Sequence, residues 1–250
     1  MPATNNPDPL YTNERRRRFT RRYFEASGSA GTTLAALPTG GVRTAGSTIV
    51  CQAPILSLTT GVGANRIVQV CEQHGQDFDL FSINGASFWD LEHYVSCRMG
   101  HQDATNFANP TATMYAGVEM VAYLTTPPFP VPPNSIASAD GCVHLRARLD
   151  TGAWELLQDN DTVSRVDVLN GVVAYNPAST PVRLEIFYTQ NYVSAAINGV
   201  EGTRVPNIMI NQSLGMSHVG SGVFITSGSN AAGNQTMLFY DFLADTIFPD

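Results

Sequence analysis

Short segments rich in β-branched and aromatic residues, separated by turn residues about every 8 to 14 positions, run through this chain from Ile49 onward. This spacing is typical of an antiparallel sandwich or barrel, and no stretch shows the apolar period of an amphipathic helix. The sequence therefore predicts an all-β fold. The predicted strands are 49–58, 66–71, 78–83, 88–99, 113–124, 142–149, 154–158, 163–168, 182–188, 193–197, 222–226 and 237–247.

The segment 142–149 has the clearest two-residue alternation of polar and apolar side chains. Successive side chains of a strand point to opposite faces of the sheet, so we expect one face to meet solvent and the other to pack. The expected solvent-facing residues are Cys142, His144, Arg146 and Arg148, and the expected packed residues are Val143, Leu145, Ala147 and Leu149.

Two strand-like segments, 182–188 and 193–197, are separated only by Thr189-Gln-Asn-Tyr192. The dipeptide Asn198-Gly199 follows, and it tolerates the positive φ angles of a tight hairpin turn. We therefore expect a β-meander of local hairpins that continues to Pro206.

An ordered series of segments extends from Tyr115 to Phe248. It includes Tyr115-Ala-Gly-Val-Glu119, Thr151-Gly-Ala-Trp-Glu-Leu156, Pro181-Val-Arg-Leu-Glu-Ile-Phe187 and Met237-Leu-Phe-Tyr-Asp-Phe242. In this order the segments resemble the concanavalin-like lectin and glucanase sandwiches, in the variant found in phage particle proteins. The resemblance implies a jelly-roll or concanavalin-like antiparallel β-sandwich and a place in a virus particle.

Basic residues are distributed very unevenly along the chain. All 14 are arginine, and six of them precede residue 25. Eight arginines and 19 of the 21 acidic residues follow, since only Asp8 and Glu14 come earlier, and this gives the rest of the chain a net charge of −11. Such an acidic body does not suit a general nucleic-acid binder. The six clustered residues are Arg15, Arg16, Arg17, Arg18, Arg21 and Arg22.

The arginine cluster is followed by the flexible spacer Ser27-Gly-Ser-Ala-Gly31. This order predicts an extended arm and hinge over residues 1–30 and a β-sandwich domain over residues 31–250. The arm is expected to be an electrostatic anchor, either to phosphates of packaged nucleic acid or to an acidic patch on viral capsid protein.

Glucanases of this fold carry Glu-x-Asp-x-x-Glu on one strand, which places their two reacting carboxyl groups on one face. That motif is absent from this chain, whose nearest arrangements are the pairs Asp77/Asp79 and Asp90/Glu92. Neither pair has a third acid at the expected offset. We therefore expect solvated carboxylates and no enzyme activity.

Two cysteines and two histidines lie at short spacings that superficially resemble a zinc site: Cys71, His74, Cys97 and His101. The segments would have to converge in space to bind one ion, and each cysteine lies inside a strand-like run. We expect buried thiols, surface histidines and no metal.

Exposed aromatic side chains are a common carbohydrate-contacting surface, because a sugar packs its apolar face against a ring. The candidate glycan contacts are Trp89, Trp154, Tyr188 and Tyr192. For Trp154, which lies beside Leu156 and Leu157, packing in the core is the favoured interpretation.

The resemblance and the arm together predict a non-enzymatic viral structural protein, most simply an accessory capsid decoration protein on the outside of the virion. We expect a homo-oligomer, taken as a trimer from the class, that is made in the host cytoplasm and has no cofactor and no membrane span. Two alternatives remain: a receptor module of a tail or fibre that binds a host-surface glycan, and a jelly-roll major coat protein. Six arginines are few for neutralising a genome, which argues against the major coat protein.

Overall fold

A computed structural model describes residues 17–22, 32–33, 41–43, 47–52, 55–60, 67–73, 88–102, 114–123, 141–160, 162–176, 178, 181–209, 218–226 and 235–248. These residues form seventeen strands and one 3-10 helix, Phe88–Asp90. No α-helix occurs in this part of the chain, and none of its helices is long and apolar enough to cross a membrane.

In chain order the strands are β1 Arg17–Arg22, β2 Thr32–Thr33, β3 Gly41–Arg43, β4 Thr48–Gln52, β5 Ile55–Thr59, β6 Ile67–Gln73, β7 Glu92–His101, β8 Tyr115–Tyr123, β9 Gly141–Arg148, β10 Trp154–Asp159, β11 Ser164–Val168, β12 Val182–Tyr188, β13 Tyr192–Ile197, β14 Val200–Glu201, β15 Val205–Pro206, β16 His218–Thr226 and β17 Thr236–Phe248.

These strands form two antiparallel sheets. The ten-stranded sheet has the order β14-β13-β12-β7-β17-β5-β4-β2, with β1 added to β17 and β15 added to β13. The seven-stranded sheet has the order β11-β10-β9-β8-β16-β6-β3. The inner faces of both sheets contribute to one hydrophobic core, as expected when two sheets pack face to face. The predicted all-β sandwich is confirmed.

The predicted strands agree closely with the observed ones over most of the described residues. The predicted strand 49–58 is in fact the hairpin β4–β5, in which Gln52 opposes Ile55, and Pro54 lies between them in the sequence. Proline cannot donate to a ladder, which explains the interruption. The predicted strand 78–83 lies outside the described residues.

The β-meander predicted around β12 and β13 is confirmed. β12 pairs with β13, and β13 pairs in turn with β14 and β15. Asn198 and Gly199 have φ angles of 51° and 77°, the left-handed conformation that a tight hairpin turn requires at both central positions.

Most of the arginine cluster belongs to a strand. β1 pairs antiparallel with the end of β17, from Arg17 opposite Phe248 to Arg22 opposite Leu243. Four of the six arginines, Arg17, Arg18, Arg21 and Arg22, are therefore attached to the ten-stranded sheet through their backbone. Arg15 and Arg16 lie outside the described residues, and the boundary between arm and sandwich remains a prediction.

The prediction that β9 has a solvent-facing side is wrong. The alternation does separate two faces, but His144 and Arg146 are almost completely buried and Arg148 is partly buried. Neighbouring strands supply partners on the same face, because Glu119 of β8 lies beside His144 and Glu155 of β10 lies beside Arg146. Burial of a polar sheet face is tolerated where its groups find partners, as Arg146 does in Glu155.

Candidate functional site

Three of the four candidate aromatic contacts lie in the core. Trp89, Trp154 and Tyr188 are at most 1% exposed. The Trp154 indole N–H donates to the carbonyl of Val173 at 2.9 Å, and the Tyr188 hydroxyl donates to that of Trp89 at 2.6 Å. A sugar could reach these rings only by displacing packed side chains, so their assignment as exposed glycan contacts is wrong. Core packing of Trp154, the favoured interpretation, is confirmed.

Tyr192 differs from the other three aromatic candidates because it is partly exposed. The Arg204 guanidinium lies 4.7 Å from the centre of its ring, and this guanidinium also donates to Glu201 at 2.7 Å. The cation therefore covers part of the ring face that a sugar would use. Tyr192 remains a candidate contact.

Cys97 and His101, which belong to the superficial zinc arrangement, each make contacts with other residues. Cys97 and Cys142 are buried and not in disulfides, as predicted. The Cys97 thiol donates to the Tyr240 carbonyl at 3.2 Å, and burial raises its pKa. His101 Nε2 lies 2.9 Å from Gln235 Oε1. Among the described residues no three metal-binding side chains are grouped.

The acidic pairs weighed from the sequence fall in different parts of the chain. Asp77 and Asp79 lie outside the described residues. Asp90 ends the 3-10 helix and Glu92 begins β7, and both are partly buried.

An irregularity in β17 shapes an exposed site on the outer face of the ten-stranded sheet. Tyr240 opposes Arg98 of β7 and Leu243 opposes Ser96, so two residues of β17 oppose one of β7. Such a β-bulge bends the strand and re-aims side chains. Asp241, inside the bulge, has a φ of 48°, a left-handed conformation that is costly for residues other than glycine and is concentrated at functional sites.

The bulge opens a cleft of about 380 Å³, here named the bulge cleft. Its lining residues are Ser96, Cys97, Arg98, Arg183, Asp241, Phe242 and Leu243. Arg98 and Asp241 form an ion pair across the opening, with side chains 50% and 56% exposed. The Arg98 guanidinium also lies 5.6 Å from the centre of the Tyr240 ring.

A second arginine is held in the bulge cleft by a small network. The Arg183 guanidinium donates to the Tyr94 hydroxyl at 2.9 Å and lies 3.1 Å from Glu185. The same hydroxyl donates to Glu185 at 2.6 Å. Burial, followed by the neighbouring Glu185 carboxylate, raises the pKa of Tyr94. The bulge cleft is thus lined by two positioned guanidinium groups and one carboxylate, that of Asp241.

A second polar cluster lies on the outer face of the seven-stranded sheet and is completely buried. Gln69 of β6 donates to Glu119 Oε1 at 2.6 Å. It reaches across β16, where Gly222 opposes Glu119 without a side chain. Glu119 Oε2 lies 3.4 Å from His144 Nε2, and neither atom has a hydrogen-bond partner.

Burial determines the charge of this pair. It raises the pKa of Glu119 to about 8, and burial together with the nearby Arg146 charge holds the pKa of His144 well below its usual range. Both groups are therefore neutral at pH 7. The contact is one between a carboxylic acid and an imidazole, not an ion pair.

Beside this pair, Arg146 and Glu155 form a buried ion pair. The Arg146 guanidinium donates twice to Glu155 Oε2, at 2.9 and 2.8 Å, and its centre lies 3.9 Å from the centre of the Tyr115 ring. Arg146 Nη1 is buried without a hydrogen-bond partner. The pair is thus desolvated and only partly satisfied.

Sequence reasoning missed both polar clusters. The bulge depends on the register between β17 and β7, strands more than a hundred residues apart in the chain, and no local pattern encodes that register. Glu119 and His144 were visible only as single polar residues in strands. Their burial depends on what covers the sheet, which the alternation does not reveal.

Comparison with known proteins supports the fold alone. No protein-family model and no curated protein sequence matches the chain. Among solved structures, the chain is similar to the winged bean acidic lectin complexed with methyl-α-D-galactose. The identity is 10%, the match covers 93% of this chain and 100% of the lectin, and the TM-score is 0.57.

Two further similar structures are enzymes. The GlcNAcα1-4Gal releasing endo-β-galactosidase from Clostridium perfringens is 8% identical, with 94% of this chain and 63% of that chain covered and a TM-score of 0.54. The κ-carrageenase from Pseudoalteromonas carrageenovora is 7% identical, with 96% and 98% covered and a TM-score of 0.50. The protein therefore has a lectin- and glucanase-like β-sandwich fold.

Proposed function

We propose that the protein binds carbohydrate without cleaving it, and that the bulge cleft is the binding site. The observation that carries this proposal is the pairing of Arg98 with Asp241 in an open cleft, on a strand bent by a bulge. The cleft volume of about 380 Å³ falls in the range of small-molecule sites. The lectin-like fold supports the choice of ligand class.

The chemistry of the bulge cleft suits a polyhydroxylated ligand. A hydroxyl group both donates and accepts hydrogen bonds, whereas a guanidinium only donates and a carboxylate only accepts. Arg98, Arg183 and Asp241 together supply both kinds of partner along one cleft. Leu243, partly exposed at the same site, offers an apolar contact for the C–H groups of a sugar.

The arrangement of carboxylates favours binding over hydrolysis. A glycosidase needs two carboxyl groups about 5 to 9.5 Å apart across the scissile bond, one of them able to act as an acid. Among the described residues, Asp241 is the only carboxylate that lines the bulge cleft, and both it and the nearby Glu185 are engaged by an arginine. On the other sheet, Glu119 of β8 and Glu155 of β10 lie on either side of β9. The spacing between strands alone places these two carboxylates about 10 Å apart.

Binding is tested by screening a glycan array and then titrating a binding glycan by calorimetry. We expect Arg98→Ala and Asp241→Asn to weaken binding at least tenfold, because the first removes the guanidinium donors and the second replaces an acceptor oxygen with a donor and removes the charge that holds Arg98. Asparagine tolerates the left-handed backbone at position 241. The matched control is Arg148→Ala, which breaks an ion pair outside the cleft and should leave affinity unchanged.

Three results would contradict this proposal. They are unchanged affinity in the cleft variants, a loss of affinity confined to Tyr192→Ala, and hydrolysis of the bound glycan.

We further propose a more specific role: the chain is a non-enzymatic structural protein of a virus particle. It would be an accessory decoration protein attached to the capsid through its arginine cluster. This role is supported by the contrast between six arginines within eight positions and an otherwise acidic chain. The pairing of β1 with β17 brings four of these arginines to one part of the sandwich. A concentrated positive charge there is suited to bidentate contacts with carboxylates of a capsid protein.

Attachment is tested with a variant in which all six clustered arginines are changed to glutamine, which leaves the β1 backbone able to pair. We expect this variant to lose binding to capsids stripped of the protein, whereas the matched arginine-to-lysine variant retains most of it. The measurement is co-sedimentation with capsids. Capsid binding by the glutamine variant would overturn the anchor, and failure of particles to form without the chain would identify a major coat protein instead.

A further inference from the structure

Among the residues that the structure describes, the strand β11 forms one edge of the seven-stranded sheet, beyond its partner β10. Its outer-face residues Val166 and Val168 are 49% and 53% exposed. An edge strand with exposed apolar residues is a template for pairing with another chain, and proteins usually block it with charged side chains, proline or a bulge. The sequence of β11, Ser-Arg-Val-Asp-Val, contains no proline, its pairing with β10 is regular, and its two charged residues, Arg165 and Asp167, neutralise each other.

The backbone of β11 is oriented for such pairing. The Leu169 N–H donates to the Trp154 carbonyl at 2.9 Å, and the Val163 carbonyl accepts from Asn160 at 3.2 Å. Because hydrogen-bonding direction alternates along an antiparallel strand, the odd-numbered residues direct their backbone groups to β10. Ser164, Val166 and Val168 therefore direct theirs away from the sheet.

The charges on β11 are arranged symmetrically about its centre. Arg165 and Asp167 flank Val166 and contact each other at 2.6 Å, with side chains 36% and 25% exposed. They share the face of the strand opposite to the exposed valines. A two-fold axis through Val166 would exchange the positions of the arginine and the aspartate.

We propose that two copies of the chain associate by antiparallel pairing of β11 with β11 around a two-fold axis at Val166. In this register Val166 opposes Val166 of the second copy and exchanges both backbone hydrogen bonds with it. Arg165 of each copy then opposes Asp167 of the other, which is a favourable cross-strand pair. The two seven-stranded sheets become one continuous sheet.

The charges select this register over its neighbours. A shift that keeps the outward backbone groups paired moves the axis to Arg165 or to Asp167. The first shift places Arg165 opposite Arg165, and the second places Asp167 opposite Asp167, and like charges directly opposite each other are unfavourable. Only the register centred on Val166 satisfies both the hydrogen bonds and the charges.

This contact is independent of the proposed carbohydrate site, which lies on the other sheet. It also replaces the trimer expected from the class with a dimer, because a two-fold axis relates two copies through identical surfaces. An interface of one strand pair is small, so we expect a concentration-dependent monomer–dimer equilibrium.

The test is sedimentation equilibrium of the full chain over a range of concentrations. We expect Val166→Lys to raise the dimer dissociation constant at least tenfold, because it places two like charges at the axis. The matched control is Val200→Lys, since Val200 is 50% exposed on a different strand. Circular dichroism of each variant verifies that the sandwich is retained.

A charge exchange tests the register itself. Arg165→Asp alone and Asp167→Arg alone should each weaken self-association at least tenfold, because each creates like charges across the axis. An equimolar mixture of these two variants restores opposite charges at both positions and should form a heterodimer with nearly the original affinity. A monomer or trimer for the unmodified chain, equal weakening by Val200→Lys, or no recovery on mixing would overturn the proposal.

Discussion

We expect Arg146→Met to lower the free energy of unfolding by about 3 to 5 kcal/mol, because it leaves the Glu155 carboxylate buried without its charged partner. The measurement is urea unfolding at neutral pH. The slope of the unfolding free energy against urea concentration should be the same for every variant, which shows that the variants share a common unfolded state. The matched control is Arg204→Met, which breaks the exposed pair with Glu201 and should cost less than about 1 kcal/mol.

The double change Arg146→Met with Glu155→Leu should recover most of this loss. Replacing both partners removes the desolvation cost along with the attraction, and apolar residues of similar size then fill the space. The unpartnered Nη1 of Arg146 shows that the native pair is not fully satisfied. A single-variant cost no larger than that of Arg204→Met would contradict the desolvated ion pair.

The second large expected effect is a fall in stability of about 2 kcal/mol between pH 6.5 and pH 8, caused by Glu119. Its pKa is raised to about 8 in the folded chain. In this interval the unfolded chain has already released the proton while the folded chain still holds it. Each pH unit therefore lowers the free energy of unfolding by about 1.4 kcal/mol.

The buried histidines act in the opposite direction. Burial lowers the pKa of His93 to about 4 and that of His144 well below its usual range. Both histidines therefore oppose folding as the pH falls through about 6.5, where the unfolded chain takes up protons, and between pH 6.5 and pH 8 they offset about half of the Glu119 effect, which leaves a net fall of about 1 kcal/mol.

Glu119→Gln is the variant that isolates the effect of Glu119. Its amide can accept from Gln69 and donate toward His144 as the protonated acid does, but it cannot ionise. We expect this variant to lose the fall in the free energy of unfolding between pH 6.5 and 8, so that only a rise of about 1 kcal/mol or less from the two histidines remains. A variant that retains the full slope would show that another group titrates.

The parts of the fold that depend on local sequence were predictable. The hairpin β12–β13 follows from two short strand-like segments that are close in the sequence, and the turn at Asn198 and Gly199 follows from that dipeptide. Such strands can pair without contacts from distant parts of the chain. The same holds for β9, β10 and β11, whose order in the sheet is their order in the chain.

The candidate site was not predictable because it depends on distant pairings. The bulge at Asp241 exists only in the register of β17 against β7, and the sequence around it reads as an uninterrupted strand. Likewise, His144 and Arg146 appear solvent-facing by alternation, yet Glu119 and Glu155 on neighbouring strands allow them to be buried. The aromatic candidates were misplaced for the converse reason, since rings large enough to contact a sugar are also the best core fillers.

The position of β17 in its sheet has a consequence for synthesis on the ribosome. β17 is the last strand that the structure describes, yet it lies between β7 and β5 and also pairs with β1. Until it emerges, β1 lacks its partner strand and the rest of the ten-stranded sheet can form only two fragments with open edges, one containing β7 and the other β5. A nascent chain stalled before Thr236 would expose both edges, and aggregation would then compete with completion of the fold.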